Sequence, residues 1–240
     1  MATPVPYLLS DLIDGRNSGL YATVSALRPV EIHQRSGGGW GEKTEPTRIM
    51  VFSSPTMYPC AAFAHELLHA KLELAGCRSP YVERVEEVGQ LVAWLWNQLA
   101  HERMFPQFLA LGYPAEQFLN DDDDREVFGL YRRDLPGLKR DFKKGGRKPI
   151  RGLRVALMHI VSRSPHQRHM GLPPVLAELR RMADAEFLAE IDKVFADWGQ
   201  EAECDVTRVY ARLFRLCGDL PNVSFSNYED GRDSIRPSDI

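Results

Sequence analysis

One ten-residue stretch, Ala61-Ala62-Phe63-Ala64-His65-Glu66-Leu67-Leu68-His69-Ala70, constrains this chain more than any other. Two histidines and a glutamate stand inside an otherwise apolar run that reads as one buried helix. Burying such side chains is costly unless something satisfies them. Residues four apart lie one turn along the same helix face, so His65 and His69 can offer two imidazole nitrogens to one metal ion. Glu66, about 100° further round the helix, falls beside such an ion rather than on it.

The flanks of this HExxH stretch support a helix in a fixed setting. Thr47-Arg48-Ile49-Met50-Val51-Phe52 is β-prone, and Ser53-Ser54-Pro55-Thr56 with Pro59 supplies helix-start signals. Gly76 provides the stop. Up to Leu74 the positions outside the motif are nearly all Ala, Leu, Phe or Cys, with Lys71 and Glu73 as the exceptions. Upstream, Leu8 to Ile13 begins a short helix and Val30 to His33 reads as a strand. The Gly37-Gly38-Gly39-Trp40-Gly41 turn then leads toward the strand at Thr47.

Downstream, Tyr81 to Phe105 is predicted as a long helix, with Val85, Val88, Leu91, Val92, Leu95 and Leu99 at helical spacing and Pro106 ending or kinking it. Four further amphipathic stretches follow: Leu153 to Val161, Pro174 to Met182, Glu186 to Trp198 and Val206 to Leu216. The expected fold class is α+β and mainly helical, a small antiparallel sheet packed on the HExxH helix with a helical C-terminal half. The expected divisions are a metal-binding domain over 1–138, a basic linker over 139–154, a helical region over 155–220 and a loosely ordered tail over 221–240.

Length and charge narrow the function classes. A chain of 240 residues can bury a real core. Its net charge of −3 implies no global attraction to nucleic acid. The stretch from Lys139 to Arg154 is locally basic and reads first as a solvated linker, with nucleic-acid binding as the alternative. Asn120 to Asp124 is an acidic turn that lacks the spacing and the glycine of a calcium loop. No early segment has a signal-peptide layout and no stretch is long enough to cross a bilayer, so the expected location is the cytoplasm. Cys60, Cys77, Cys204 and Cys217 form no CxxC pair and read as buried thiols, the pairing Cys60 with Cys77 being the alternative.

A catalytic zinc usually takes three protein ligands and keeps a fourth position for water. With Val88, Leu91, Val92, Leu95 and Leu99 marking the core face of the long helix, the candidates for the third ligand are His101, Glu102 and, further off, Glu86 and Glu87. His101 is preferred, with Glu102 as the alternative. Asn97, one turn before His101, has the spacing of an amide that orients a ligand.

His65-Glu66-Leu67-Leu68-His69 after a strand, followed by a helix carrying Asn97-Gln98-Leu99-Ala100-His101-Glu102-Arg103-Met104-Phe105-Pro106, resembles the zincin metallopeptidases. The gluzincin-like analogy is with the small bacterial and phage HExxH proteins typified by phage-immunity and radiation-response regulators. In that group the second helix reads approximately ExxxN-x-F-A-A-x-L-L-M-P, its Glu being the third ligand. Asn97 and Pro106 match in spacing, whereas the position of that Glu is Ala93 here.

The resemblance implies Zn2+ as cofactor, a peptide or protein substrate, and hydrolysis of a peptide bond with Glu66 as general base. It also implies a strand edge at Thr47 to Phe52 as the substrate platform, and an oxyanion partner for which Tyr113, His166 and His169 are available. Two other readings stand beside it: a catalytically quiet zinc-binding scaffold, and a nucleic-acid-associated protein acting through Lys139 to Arg154.

Overall fold

Ile49, Val51 and Ser53 are buried while Met50 and Phe52 are half-buried, the two-residue alternation of a strand with one face against a core. This strand, β3 (Ile49–Ser53), is the centre of a three-stranded sheet in a computed structural model of the chain. The structure describes residues 7–35, 39–77, 81–82, 86–118, 149–163, 172–200, 204, 206–218, 225–226 and 234–235. Among them the fold is α+β and mainly helical.

The sheet order is β1-β3-β2, with β1 (Val30–Gln34) parallel to β3 and β2 (Gly41–Thr44) antiparallel to it. The sheet is therefore mixed, where the sequence suggested antiparallel strands joined by the glycine-rich turn. The reason is that the chain after that turn enters an additional strand, β2. It is β2 that forms the hairpin with β3, closed by the Glu45 amide donating to the Arg48 carbonyl at 2.8 Å. β1 then takes the opposite edge, where its direction matches that of β3.

The HExxH stretch lies in α3 (Pro59–Leu74). Pro59 opens the helix, where its missing N–H costs nothing. Gly76 closes it at φ 92°, a conformation that suits glycine, with its amide donating to the Glu73 carbonyl. One side of α3 meets the sheet, and α1 (Leu9–Leu12) and α2 (Ser18–Leu27) pack on it as well. That enclosure accounts for the burial of ten of its residues, with Phe63 and Leu67 fully covered. Each such side chain contributes on the order of 1.5–3 kcal/mol.

Hydrogen bonds fix where α3 begins. The Asn17 side-chain amide donates to the carbonyls of Leu12 (2.8 Å) and Cys60 (3.1 Å), and the Tyr113 hydroxyl donates to Asp14 Oδ1 at 2.9 Å with the Cys60 carbonyl at 3.3 Å. The Arg16 guanidinium lies 4.0 Å from the centre of the Tyr113 ring.

A long helix, α4 (Glu86–Ala110), runs without a break through Pro106. The expected stop at Pro106 is displaced by four residues because the turn beyond it is held by packing: Phe105 and Phe108 each set their rings edge-on to Phe118, at 5.1 Å. Before the helix, Tyr81–Val82 form a short strand, β4, where the sequence suggested helix.

The chain forms two compact units, Met1–Gly76 with Arg103–Glu126, and Cys77–Glu102 with Val127–Ile240. The first holds the mixed sheet, α1 to α3 and the end of α4. The second holds α5 (Pro149–Arg163), α6 (Leu172–Met182), α7 (Ala185–Gln200) and α8 (Val206–Cys217), whose apolar residues recur at helical spacing. In α7 the buried row is Phe187, Leu188, Ile191, Val194, Phe195 and Trp198.

Trp198 donates its indole N–H to the Leu99 carbonyl at 2.8 Å, and Tyr210 donates its hydroxyl to the Val92 carbonyl at 2.7 Å. α5 and α8 approach so closely at Gly152 that an added methyl carbon would stand 2.8 Å from Cys217 Cβ. A second small sheet joins β4 to β5 (Phe225–Ser226) and β6 (Ser234–Ile235), so part of the tail expected to be loosely ordered is paired.

Cys77 and Cys204 form a disulfide, while Cys60 and Cys217 are not disulfide-bonded. This corrects both sequence expectations, four thiols or a Cys60 to Cys77 bond. Fold places the partner of Cys77 127 positions along the chain, a pairing that no local spacing encodes. No helix among the described residues is long and apolar enough to cross a membrane. The acidic turn at 120–124, the basic residues 139–148, and His166 and His169 lie outside the described residues.

Candidate metal centre

Helical spacing on α3 aims the first two ligand candidates at one point. The Nε2 atoms of His65 and His69 stand 3.1 Å apart, and their ring centres 4.9 Å. His101 arrives from α4, and ligand atoms of all three histidines lie within 4.8 Å of one another. The turns of α4 just after His101 pack within the first unit. There Phe105 and Phe108 pack on Phe118, and the amide of Gln107 accepts a hydrogen bond from Lys71 of α3 at 2.8 Å.

Burial sets the protonation of these rings. His65 is 6 % exposed and His101 2 %, while His69 is half-buried. Loss of hydration disfavours the imidazolium, pushing His65 down to about 4, with a hydrogen bond to the Phe118 backbone pulling the other way. His69 is held well below its ordinary value by burial and then by the charge that His65 would carry. At neutral pH both rings are uncharged, the form in which imidazole offers a lone pair to a cation. This buried group of three histidines could hold a metal ion.

The other named residues fall as follows. Glu66 is 5 % exposed on α3, next to His65 in sequence and three positions before His69. Glu102 is half-buried on α4 and stands outside the histidine group. Asn97, also half-buried, lies one turn before His101, and its neighbour Gln98 is buried. The side chains of Glu86 and Glu87 lie outside the described residues.

Tyr113, one of the three residues considered for an oxyanion partner, spends its hydroxyl on Asp14 and the Cys60 carbonyl. Its role is to fix the first turn of α3.

Phe118 is the neighbour that sequence reasoning missed. Its ring centre lies 4.6 Å from that of His65, covering the imidazole from the side. No local signal marks it, since 53 positions separate the two residues. Glu42 and Glu73 were missed as well. Glu73 stands one turn beyond His69 on α3, and Glu42 reaches it from β2. No protein-family model, curated protein or solved structure matches this chain.

Proposed function

We propose that the protein is a zinc-dependent metallopeptidase of the zincin kind, hydrolysing a peptide bond with Glu66 as general base. The observation that carries this reading is the convergence of His65, His69 and His101 within 4.8 Å, with Glu66 buried on the helix that bears the first two. Three imidazole nitrogen donors suit zinc, which favours imidazole and tetrahedral geometry. At Zn–N bonds of about 2.0–2.1 Å, two tetrahedral ligands stand roughly 3.3–3.4 Å apart. The observed 3.1 Å between the Nε2 atoms of His65 and His69 fits that requirement with little rearrangement.

When bound, zinc supplies Lewis acidity, bringing the pKa of a water toward ~7 and polarising a carbonyl. The chain's own residues do the rest. His65 and His101, both buried, would hold the ion together with His69, and Phe118 lies against the His65 ring. His69 is half-buried, the most exposed of the three. Glu66 takes the proton from the attacking water and returns it to the nitrogen of the leaving amine, which balances the hydrolysis.

Protein purified without chelator should carry close to one equivalent of zinc and cleave members of a mixed peptide library, with new termini read by mass spectrometry. Glu66→Gln should retain zinc and lose on the order of 10²–10⁴-fold in rate, since the amide fills the same space without accepting a proton. Metal content near zero after zinc supplementation would overturn the reading. Full zinc occupancy with no cleavage by the wild type would leave the scaffold alternative instead.

A further inference from the structure

Gln98, Leu99, Ala100 and His101 go once round α4, and all of them are buried, Leu99 and Ala100 completely and Gln98 to within 3 %. A polar side chain at this level of the helix must therefore find its partners inside the protein. Gln98 does not find one for its side-chain carbonyl: Oε1 is buried and accepts no hydrogen bond among the described residues. Methionine would fill the same length and suit the helix equally well, since the two have nearly the same propensity. A buried acceptor left unmade costs stability, so its presence calls for a reason outside folding.

That reason stands one turn along the helix. Helical side chains lean back toward the N-terminus, so a residue at 101 covers the positions three and four before it, Gln98 and Asn97. Asn97 is half-buried and can spend its amide on water, whereas Gln98 is closed off. A histidine that gives one ring nitrogen to a cation carries its proton on the other. That N–H is almost always donated to an oxygen of the surrounding protein or a water, which fixes the tautomer and the plane of the ring.

We infer, on the reading that His65, His69 and His101 hold a metal ion, that Gln98 is the positioning residue of the site, its Oε1 accepting the N–H of metal-bound His101. The role needs the ion and not the peptide chemistry. The stretch of α4 that presents both residues is itself held by buried bonds, from the Trp198 indole to the Leu99 carbonyl at 2.8 Å and from the Tyr210 hydroxyl to the Val92 carbonyl at 2.7 Å. An amide also suits the place better than the commoner carboxylate, which would bring a charge into a dry turn of helix.

Chelator competition and urea unfolding of wild type, Gln98→Met, Gln98→Glu and Asn97→Leu test the assignment. Gln98→Met removes the unmade acceptor and keeps the length. It should bind zinc about 10–100-fold more weakly than wild type. In the metal-free state its urea midpoint should equal or exceed that of wild type, because no bond is lost there. Replacing a residue that only packs would not separate the two readouts in this way. Gln98→Glu should reverse the pattern, holding zinc at least as tightly as wild type through its own acceptor while the buried carboxyl lowers the metal-free midpoint.

Unchanged zinc affinity in Gln98→Met, or a metal-free midpoint below that of wild type, overturns the inference, as does a loss of affinity confined to Asn97→Leu. A wild type that takes up no zinc overturns it together with the metal site. Weakened zinc binding in Gln98→Met beside a wild type that cleaves no peptide supports it and refutes the peptidase reading alone.

Discussion

Replacing His65 by Gln in the metal-free protein tests whether the site is as dry as its geometry implies. The folded-state value of His65 is pushed from 6.5 down to about 4 by burial. Between these values the unfolded chain binds a proton that the folded chain refuses, so stability rises with pH across that window. The contribution is fully present above 6.5 and is lost as pH falls through about 4.

A span of about 2.5 units at 1.36 kcal/mol each gives about 3 kcal/mol from this ring. That is a large share of a typical domain's 5–15 kcal/mol. Urea unfolding of wild type and His65→Gln, both stripped of metal, should be measured at half-unit steps from pH 4 to 7.5. The stability advantage of the wild type over the variant should shrink by about 3 kcal/mol between pH 7 and pH 4. His69 shifts in the same direction, so the variant should retain a smaller slope of the same sign. A difference that stays constant with pH would mean that water reaches His65 freely, and the reasoning from burial would fail.

Three further outcomes are expected. His101→Ala should weaken zinc binding by more than about 100-fold, beyond the cost of losing a supporting residue, whereas Glu102→Ala should leave it nearly unchanged; competition with a chromogenic chelator decides between them. Breaking the Cys77 to Cys204 bond should lower stability by about 5 kcal/mol in the chain-entropy treatment of a loop this long, a melting shift on the order of 10–20 °C, and calorimetry with and without reductant measures it. Gly152→Ala should cost about 1–3 kcal/mol in chemical denaturation, because the new methyl would press on Cys217 and push α5 from α8.

The helices of the C-terminal half were legible because their apolar rows recur at 3.6 residues, and each appears within a few positions of where the period put it. The α2 helix was not. Its segment Ser18–Leu27 is built largely of small residues and buries only Leu20 and Val24, so no strong stripe marks it. β2 escaped for a related reason, since Gly-Glu-Lys-Thr has no apolar alternation and its inward position is filled by Glu42. At the site, the spacing of His65 and His69 is itself the geometry. For His101 the spacing on α4 offered more than one candidate, and helical period alone does not choose between His101 and Glu102.

The first unit is assembled from two separated stretches of chain, Met1–Gly76 and Arg103–Glu126. A ribosome making this protein delivers the whole HExxH helix before it has made Tyr113, which fixes the helix at its start, or Phe118, which covers His65. Until those residues emerge, the two histidines of α3 sit on a surface that the finished unit encloses. Local contacts of α1, α2 and the sheet form early, whereas closure over the histidines is a late, long-range event of the kind that slows folding. Nascent chains halted before and after residue 118 has left the ribosomal exit tunnel should therefore differ sharply in how accessible His65 is to a histidine-modifying reagent.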